Sequence, residues 1–155
     1  AVRDTSTGKE VARLDPKVLG LPETRVYFPE WSPDGQEIVA TVASQDERPW
    51  SVNNGYVVVF PYNGGAFGPA RVVVPKERDT FSFYPTWSPD GRWIAFASAP
   101  IKVKSYDNPD ARLRLVSRDG GAIHELGRAT QGRGNTSTWP KFAPFMQAGG
   151  KLMFI

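Results

Sequence analysis

Apolar residues occur along this chain in short runs separated by turns that are rich in glycine, proline, asparagine and aspartate. Tyr56–Phe60 leads through an Asn-Gly-Gly turn to Arg71–Val74, and Leu113–Val116 leads through an Asp-Gly-Gly turn to His124–Leu126. Short β-prone runs between such turns are typical of antiparallel strands. No segment shows helical periodicity, so the sequence predicts an all-β protein.

A sequence motif recurs between these runs. Residues 28–40 read FPEWSPDGQEIVA and residues 84–96 read YPTWSPDGRWIAF, so that their first tryptophans lie 56 residues apart. A third, eroded copy spans 139–155. Aligning its proline with the other two places Phe142 where the tryptophans stand, and the aspartate of the motif is lost. Self-similarity at a regular spacing indicates a repeat architecture.

Each copy of the motif predicts a β-hairpin. In Ser-Pro-Asp-Gly, proline presets φ, the aspartate bonds back to backbone N–H groups, and glycine takes the position with φ > 0. The residues expected in these turn roles are Asp34, Gly35, Asp90 and Gly91. Trp31 and Trp87, with Phe142 in the third copy, are predicted to be large core residues.

The motif hairpin and the hairpin that follows it make a unit of four strands and about 55 residues, which is a β-propeller blade. We therefore assign one blade to 26–75 and another to 82–126. Residues 1–14 are assigned to the outer hairpin of a preceding blade, and 138–155 to the inner hairpin of a following blade. Because a ring needs about 4–8 blades, we expect a partial β-propeller, an open fragment of a larger ring that is cut at both ends.

With Trp-Ser-Pro-Asp-Gly twice, followed by Ile38–Ala40 and Ile94–Phe96, the chain resembles the TolB-like, WD40-like PD40 repeat family. The resemblance covers nearly the whole chain at the level of blades. It implies a closed ring of about six to eight blades, usually exported in bacteria to the periplasm or beyond, that acts as a docking surface. The family's motif is structural, so the resemblance assigns no catalytic residue.

The strand order within a blade predicts which loops share a face. The Ser-Pro-Asp-Gly and Gly-Gly turns lie on one face, the tight-turn face, and the long connections, including 44–54 and 100–110, lie on the other, the long-loop face. Loops on a rigid scaffold commonly form binding surfaces. The candidate partner-binding residues are Arg48, Trp50, Lys104, Tyr106, Asp107 and Asp110. The alternative is ordinary solvated loops whose aromatic side chains fold back on the blade edge.

Composition narrows the classes of function. The 155 residues carry a net charge of +3, and their 19 basic residues are dispersed rather than gathered into a stripe, which disfavours nucleic-acid binding. The absence of cysteine excludes disulfides, thiol catalysis and cysteine-ligated zinc. No apolar run approaches the ~20 residues that span a bilayer, and we expect no membrane insertion and find no signal peptide in this chain.

Residues with catalytic or ligand-binding chemistry are sparse. His124, the single histidine, stands in a predicted outer strand beside Glu125, and no spacing suggests partners for a catalytic triad or a metal site. Glycine pairs stand between strands rather than before a helix, so the sequence predicts neither a phosphate-binding loop nor a cofactor. Asp107–Asp110 lacks the remaining ligands of a calcium loop and is better explained as a turn.

The leading hypothesis is a non-catalytic scaffold for protein–protein interaction, in the bacterial envelope or outside the cell. One alternative is the accessory propeller of a larger enzyme, such as a prolyl-oligopeptidase-type hydrolase, which a catalytic domain beyond Ile155 would reveal. Another is a glycan-binding or lyase propeller with its site in the central channel. That site needs polar inner strands, whereas Tyr27–Pro29 and Trp31 favour packing.

Overall fold

The chain folds into antiparallel β-sheets in a computed structural model, which describes residues 1–23, 25–44, 51–101, 104–105 and 108–127 and the strand backbone of 140–142 and 152–154. The strands are β1 (Val2–Arg3), β2 (Glu10–Ala12), β3 (Arg25–Trp31), β4 (Glu37–Ala43), β5 (Tyr56–Asn63), β6 (Ala66–Phe67), β7 (Arg71–Val74), β8 (Thr80–Trp87), β9 (Trp93–Pro100), β10 (Arg112–Ser117), β11 (His124–Glu125), β12 (Pro140–Phe142) and β13 (Leu152–Phe154).

Two blades occupy the middle of the chain. In the second blade, β8 to β11 form a four-stranded antiparallel sheet in chain order. In the first blade, β3, β4 and β5 follow the same order, and both β6 and β7 pair with β5. The strand predicted at Arg71–Val74 is confirmed, whereas β6 was not predicted because two residues carry no readable alternation. The predicted fold class, a partial β-propeller, is confirmed.

The inner strand of each blade contains a bulge at the same place in the motif. The register shifts after Tyr27 in β3 and after Phe83 in β8. Phe28 and Tyr84, the residues that follow, have φ values of 54° and 52°, the left-handed region that is costly for an aromatic residue. Their rings meet edge to face across the two blades, with centroids 4.4 Å apart. Packing between the blades therefore holds the strained backbone in place.

The two blades are joined by a shared hydrophobic cluster. We call the face of a blade turned toward the next blade along the chain its forward face, and the opposite face its back face. The forward face of the first blade contributes Val39, Val57 and Val59, which are fully buried. The back face of the second blade contributes Trp87 and Ile94 to the same cluster. Successive side chains along β4 and β5 point to opposite faces of the sheet, and this alternation decides which residues reach the neighbouring blade.

The back face of the first blade packs against the N-terminal segment. Leu14, Leu19 and Leu21 lie against buried residues of β4 and β5, including Val58. β1 and β2 pair as a short hairpin near this face, and β12 and β13 pair as another hairpin. The boundaries assigned to the blades and half-blades from the sequence stay a prediction.

The two motif tryptophans differ in burial. Trp87 is 3% exposed, as predicted for a core residue, whereas Trp31 is 41% exposed, so the prediction for Trp31 is wrong. The cause lies in what each ring faces. Trp87 is covered by the forward face of the first blade, while Trp31 borders a groove beside the short strand β1. Tyr62 packs edge to face on Trp31, with ring centroids 5.1 Å apart.

A Gly55→Ala substitution should weaken the contact between the blades. A Cβ at this position would lie 2.5 Å from Thr41 Cγ2 and 2.7 Å from Ser82 O. Because overlap of this kind in a packed interior costs about 1–3 kcal/mol, urea unfolding should show a loss of free energy of that size. Gly127→Ala is the matched control, since no described atom lies within 4 Å of its Cβ position. Equal stability of the two variants would contradict the packing at Gly55.

Candidate functional site

The Ser-Pro-Asp-Gly turns have the same hydrogen bonds in both blades. Asp34 Oδ1 accepts from the Ser32 hydroxyl at 2.6 Å and from the Gln36 N–H at 3.0 Å. Asp90 Oδ1 accepts from the Ser88 hydroxyl at 2.6 Å and from the Arg92 N–H at 3.1 Å. The glycine after each aspartate has φ near +69°. The predicted turn chemistry of the aspartates and glycines is confirmed, and the serine, which sequence reasoning did not single out, completes it.

An arginine of the second blade reaches across the boundary to the turn of the first. Arg118 Nη1 donates to Asp34 Oδ2 and its Nε donates to Glu37 Oε2, both at 2.8 Å. Its guanidinium also lies 5.6 Å from the centre of the Trp87 ring. Arg71, on the first blade, donates to the other oxygen of Glu37 at 3.0 Å. We call Asp34, Glu37, Arg71 and Arg118 the inter-blade ion cluster.

Two residues of the ion cluster, Asp34 and Arg118, have shifted pKa values. The Ser32 hydroxyl, then the Gln36 N–H and Arg118, lower the pKa of Asp34 to about 2. The hydrogen bond to Asp34 raises the pKa of Arg118 above its usual value. Asp90 also has a pKa of about 2, but there the contributing side chains, first Ser88 and then Arg92, belong to its own turn. Asp34 therefore connects two blades, and Asp90 stabilises one turn.

A second inter-blade contact lies on the inner strands. Glu30 Oε1 accepts from the Thr86 hydroxyl at 2.8 Å and from the Trp87 N–H at 3.0 Å. The indole N–H of Trp87 donates to the Glu30 carbonyl at 3.3 Å. Trp87 is therefore held by hydrogen bonds as well as by its apolar contacts, which fixes the inner strands of the two blades in register.

The long loops of the two blades are joined on the long-loop face. Val52 N–H donates to Ser105 Oγ at 2.9 Å, and Ser105 N–H donates to the Val52 carbonyl at 2.7 Å. Both residues are fully buried, and Asn108 is only 1% exposed. A solvated loop would not bury three residues in this way, so the described parts of these loops form a packed junction between the blades.

Two of the candidate partner-binding residues lie next to this junction. The Asn108 amide donates to the Lys104 carbonyl at 3.0 Å, and Asn108 Oδ1 accepts from the Asp110 N–H at 3.0 Å. Lys104 is half-buried and Asp110 is exposed. The other four candidates, Arg48, Trp50, Tyr106 and Asp107, lie outside the described residues. Phe142 is the last residue of β12, opposite Leu152.

Two further ion clusters secure the connections around the blades. Glu23 accepts from the Tyr56 hydroxyl and from Lys76, whose ammonium lies 5.3 Å from the centre of the Tyr56 ring. Burial acts to raise the pKa of Glu23, but the bonds from Lys76 and Tyr56 lower it overall. Burial raises the pKa of Tyr56. Burial also acts to raise the pKa of Glu77, but the hydrogen bonds from the Thr80 hydroxyl and the Arg114 guanidinium lower it overall.

Sequence reasoning missed the residues that join the blades. Arg118 has no repeated counterpart, because Tyr62 stands before the Gly-Gly turn of the first blade. Ser105 and Asn108 lie in a loop without a readable pattern. Ser32 could have been found, since Ser88 repeats it in the motif. His124 is exposed in β11 and packs on Trp93, with ring centroids 6.2 Å apart.

Within the described ranges, no cluster of three or more histidine or acidic residues is arranged to hold a metal ion. The same ranges contain no helix that is both long and apolar enough to cross a bilayer. The fold and these contacts define a segment of a β-propeller whose blades are joined by an ion cluster on one face and by packed loops on the other.

The fold is TolB-like. The chain is similar to the solved structure titled "The structure of putative TolB from Agrobacterium tumefaciens", with a TM-score of 0.52 and 20% sequence identity. The similarity covers 84% of this chain and 43% of that chain, so the present chain spans less than half of the similar protein. No known family profile matches the sequence, and no curated protein matches it.

The Asp34→Asn variant should lose stability in a way that depends on pH. A carboxyl whose pKa falls from 3.8 to about 2 on folding stabilises the fold fully above pH 4, and this contribution disappears as the pH falls toward 2. The Tm difference between wild type and Asp34→Asn should therefore be largest near neutral pH and should close between pH 4 and 2.

Asp119→Asn serves as the control, because the Asp119 side chain is 88% exposed and approaches Arg71 only at 3.9 Å. Its Tm should follow that of the wild type at every pH. A Tm difference for Asp34→Asn that stays constant from pH 7 to pH 2 would show that the loss comes from the turn alone and not from the charge on Asp34.

Proposed function

We propose that this chain is a non-catalytic β-propeller scaffold that binds a protein partner through its long-loop face. The observation that carries the proposal is the packed junction of Val52, Ser105 and Asn108. It joins the described parts of two long loops from neighbouring blades, which gives this face a rigid base. A preformed surface loses less conformational entropy when it binds a partner than a mobile one does.

The composition of the loops supports a protein as the partner. Arg48, Trp50 and Tyr106 belong to the residue types that are enriched in protein interfaces and that contribute most of their binding energy. Lys104 and Asp110 add charges of both signs beside the junction, which suits a mixed polar rim. Dispersed charge of this kind does not match the basic stripe that nucleic acid requires.

The ionisation of the described carboxylates supports a structural role. Each of the strongly shifted carboxyl groups, Asp4, Asp34 and Asp90, has its pKa lowered to about 2, first by hydrogen bonds within its turn and, for Asp34, also by Arg118 of the second blade. A general acid or base needs a pKa near the working pH, which for a carboxyl means a raised value. The proposal of a location in the envelope or outside the cell rests on the family resemblance of the repeats.

Replacing Trp50 and Tyr106 together by alanine should weaken partner binding and leave stability nearly unchanged. The immobilised chain is incubated with a bacterial envelope extract, bound proteins are quantified by mass spectrometry, and the urea midpoint of each variant is measured in parallel. We expect at least one protein captured by wild type to fall about tenfold or more in the double variant, the effect of losing interface anchors.

Val72→Ala is the matched control, since Val72 is an apolar residue that is 43% exposed in the outer strand β7, outside both long loops. It should retain the capture seen with wild type. A large drop in the urea midpoint of the Trp50/Tyr106 variant would show that the two rings belong to the core. Unchanged capture by that variant would overturn the assignment of the long-loop face.

A further inference from the structure

A pocket of about 410 Å³ opens on the second blade, near the long-loop end of β9 and β10. Ser98 and Pro100 line it from β9, and Arg112 and Arg114 line it from β10. Because side chains alternate along a strand, these four residues lie on the same side of the sheet as Ile94, which is the back face of the blade. A concave site of this size can hold a small ligand or one side chain of a peptide.

The first blade has apolar residues at the equivalent positions. Val42 pairs with Tyr56 in the first blade as Ser98 pairs with Arg112 in the second, and both residues of the second pair stand 56 positions further along the chain. Val42 and Tyr56 are buried in one cluster with Leu21. Since core positions favour apolar side chains, packing does not explain why the second blade has a hydroxyl and a guanidinium at this place.

The two arginines of the pocket differ in how firmly they are paired. Arg114 Nη1 donates to Glu77 Oε1 at 2.7 Å, and only 19% of the Arg114 side chain is exposed. Arg112 Nη1 lies 3.6 Å from Glu125 Oε2, which is beyond hydrogen-bond length, and 61% of its side chain is exposed. An exposed pair of this kind contributes little to stability. The Arg112 guanidinium is therefore available to a ligand that supplies acceptor oxygens.

The charges around the pocket favour a ligand with one negative charge. Glu77 balances the charge of Arg114, which leaves Arg112 as the loosely paired cation of the wall. Asp110 also lines the pocket, at its exposed rim. The carboxylates of Glu77, Asp110 and Glu125 would repel a doubly charged phosphate more strongly than a singly charged carboxylate. The planar guanidinium of arginine matches a carboxylate through two parallel hydrogen bonds.

The remaining wall of the pocket is small and apolar. Ala99, Pro109 and Ala111 line it together with Pro100. Ala99 and Ala111 are buried, so they form the floor of the site and not its rim. Such a surface suits a short chain of methylene groups, because burying each of them is worth about 0.8 kcal/mol.

We propose that this pocket binds a carboxylate on a short apolar stem, which is the chemistry of a glutamate side chain. The carboxylate accepts hydrogen bonds from Arg112, in place of its loose pair with Glu125, and from the Ser98 hydroxyl. Ser98 and Arg112 stand directly opposite each other on neighbouring strands, which places their Cβ atoms about 4.5–5.5 Å apart, so both can reach one carboxylate. The inference goes beyond the proposed function and does not depend on a partner at Trp50 and Tyr106.

Nuclear magnetic resonance titration with two blocked peptides, acetyl-Ala-Glu-Ala-amide and its glutamine counterpart, tests the proposal. The amide signals of Ser98, Ala111 and Arg112 should shift with the glutamate peptide, at a dissociation constant of about 1 mM or below, as a group of this size can reach. The glutamine peptide has the same shape without the charge and should bind about tenfold more weakly or worse. Inorganic phosphate should also bind more weakly than the glutamate peptide.

Pentanoate, titrated in the same way, distinguishes the two sources of such a carboxylate. It has the acid and the apolar stem without a peptide backbone. Tighter binding of pentanoate than of the glutamate peptide would identify a free organic acid as the ligand, and weaker binding would identify a glutamate of a peptide. Either order supports a carboxylate site.

Three variants of the pocket and one control assign the contacts. Arg112→Gln should weaken the glutamate peptide about tenfold or more, whereas Arg92→Gln, which also removes an exposed arginine from a surface ion pair, should leave its affinity unchanged. Ser98→Val, which introduces the residue type of Val42, should fill the pocket and abolish the shifts. Glu125→Gln removes the competing carboxylate and should tighten binding about two- to threefold.

Urea midpoints measured in parallel separate a loss of binding from a loss of folding. Because the Arg112 side chain is largely exposed, Arg112→Gln should keep the wild-type midpoint even if Ser98→Val does not fold. The absence of shifts at ~20 mM glutamate peptide, equal affinity for the glutamine peptide or for phosphate, or equal weakening by Arg112→Gln and Arg92→Gln would each overturn the proposal. None of these results affects binding at Trp50 and Tyr106, which tests the proposed function separately.

Discussion

The burial of Trp87 against the first blade is the contact on which the rest of the structure depends. Its ring fills the apolar space between the blades, its indole and backbone N–H groups bond to Glu30, and Arg118 lies over its outer side. The ion cluster lies on one side of this contact, at the tight-turn face, and the packed loops lie on the other side, at the long-loop face. A blade in this protein is thus defined as much by its neighbour as by its own strands.

The sequence was sufficient for the architecture because the repeated unit contains its own turn chemistry. Asp34 and Gly35 act through groups two or three residues away, and such local effects can be read from spacing. The burial of Trp31 was predicted wrongly for a related reason. The repeat specifies the same local position for both tryptophans, but burial is decided by the neighbouring blade, which the motif does not encode.

The residues that connect the blades could not be predicted, because each depends on a partner far away in the chain. Arg118 pairs with Asp34 across 84 residues, and Ser105 pairs with Val52 across 53. In the sequence, an arginine before a Gly-Gly turn cannot be distinguished from an ordinary surface residue, because its partner is identified only by the arrangement of the strands in space. Of the partner-binding candidates, Lys104 and Asp110 are connected through Asn108, a connection that no spacing rule contains.

The bulge in each inner strand has a consequence for how this architecture can change. Without it, Phe83 and Trp87 would point to the same side of β8. With one extra residue between them, Phe83 stands opposite Ala97 and Trp87 opposite Ile94, and the two rings enter separate clusters. A single strand thereby contributes rings to two clusters, and both clusters include residues of the first blade. Loss of one residue here would turn one of these rings away from its cluster, so gene duplication could multiply the unit only by copying the irregularity with it.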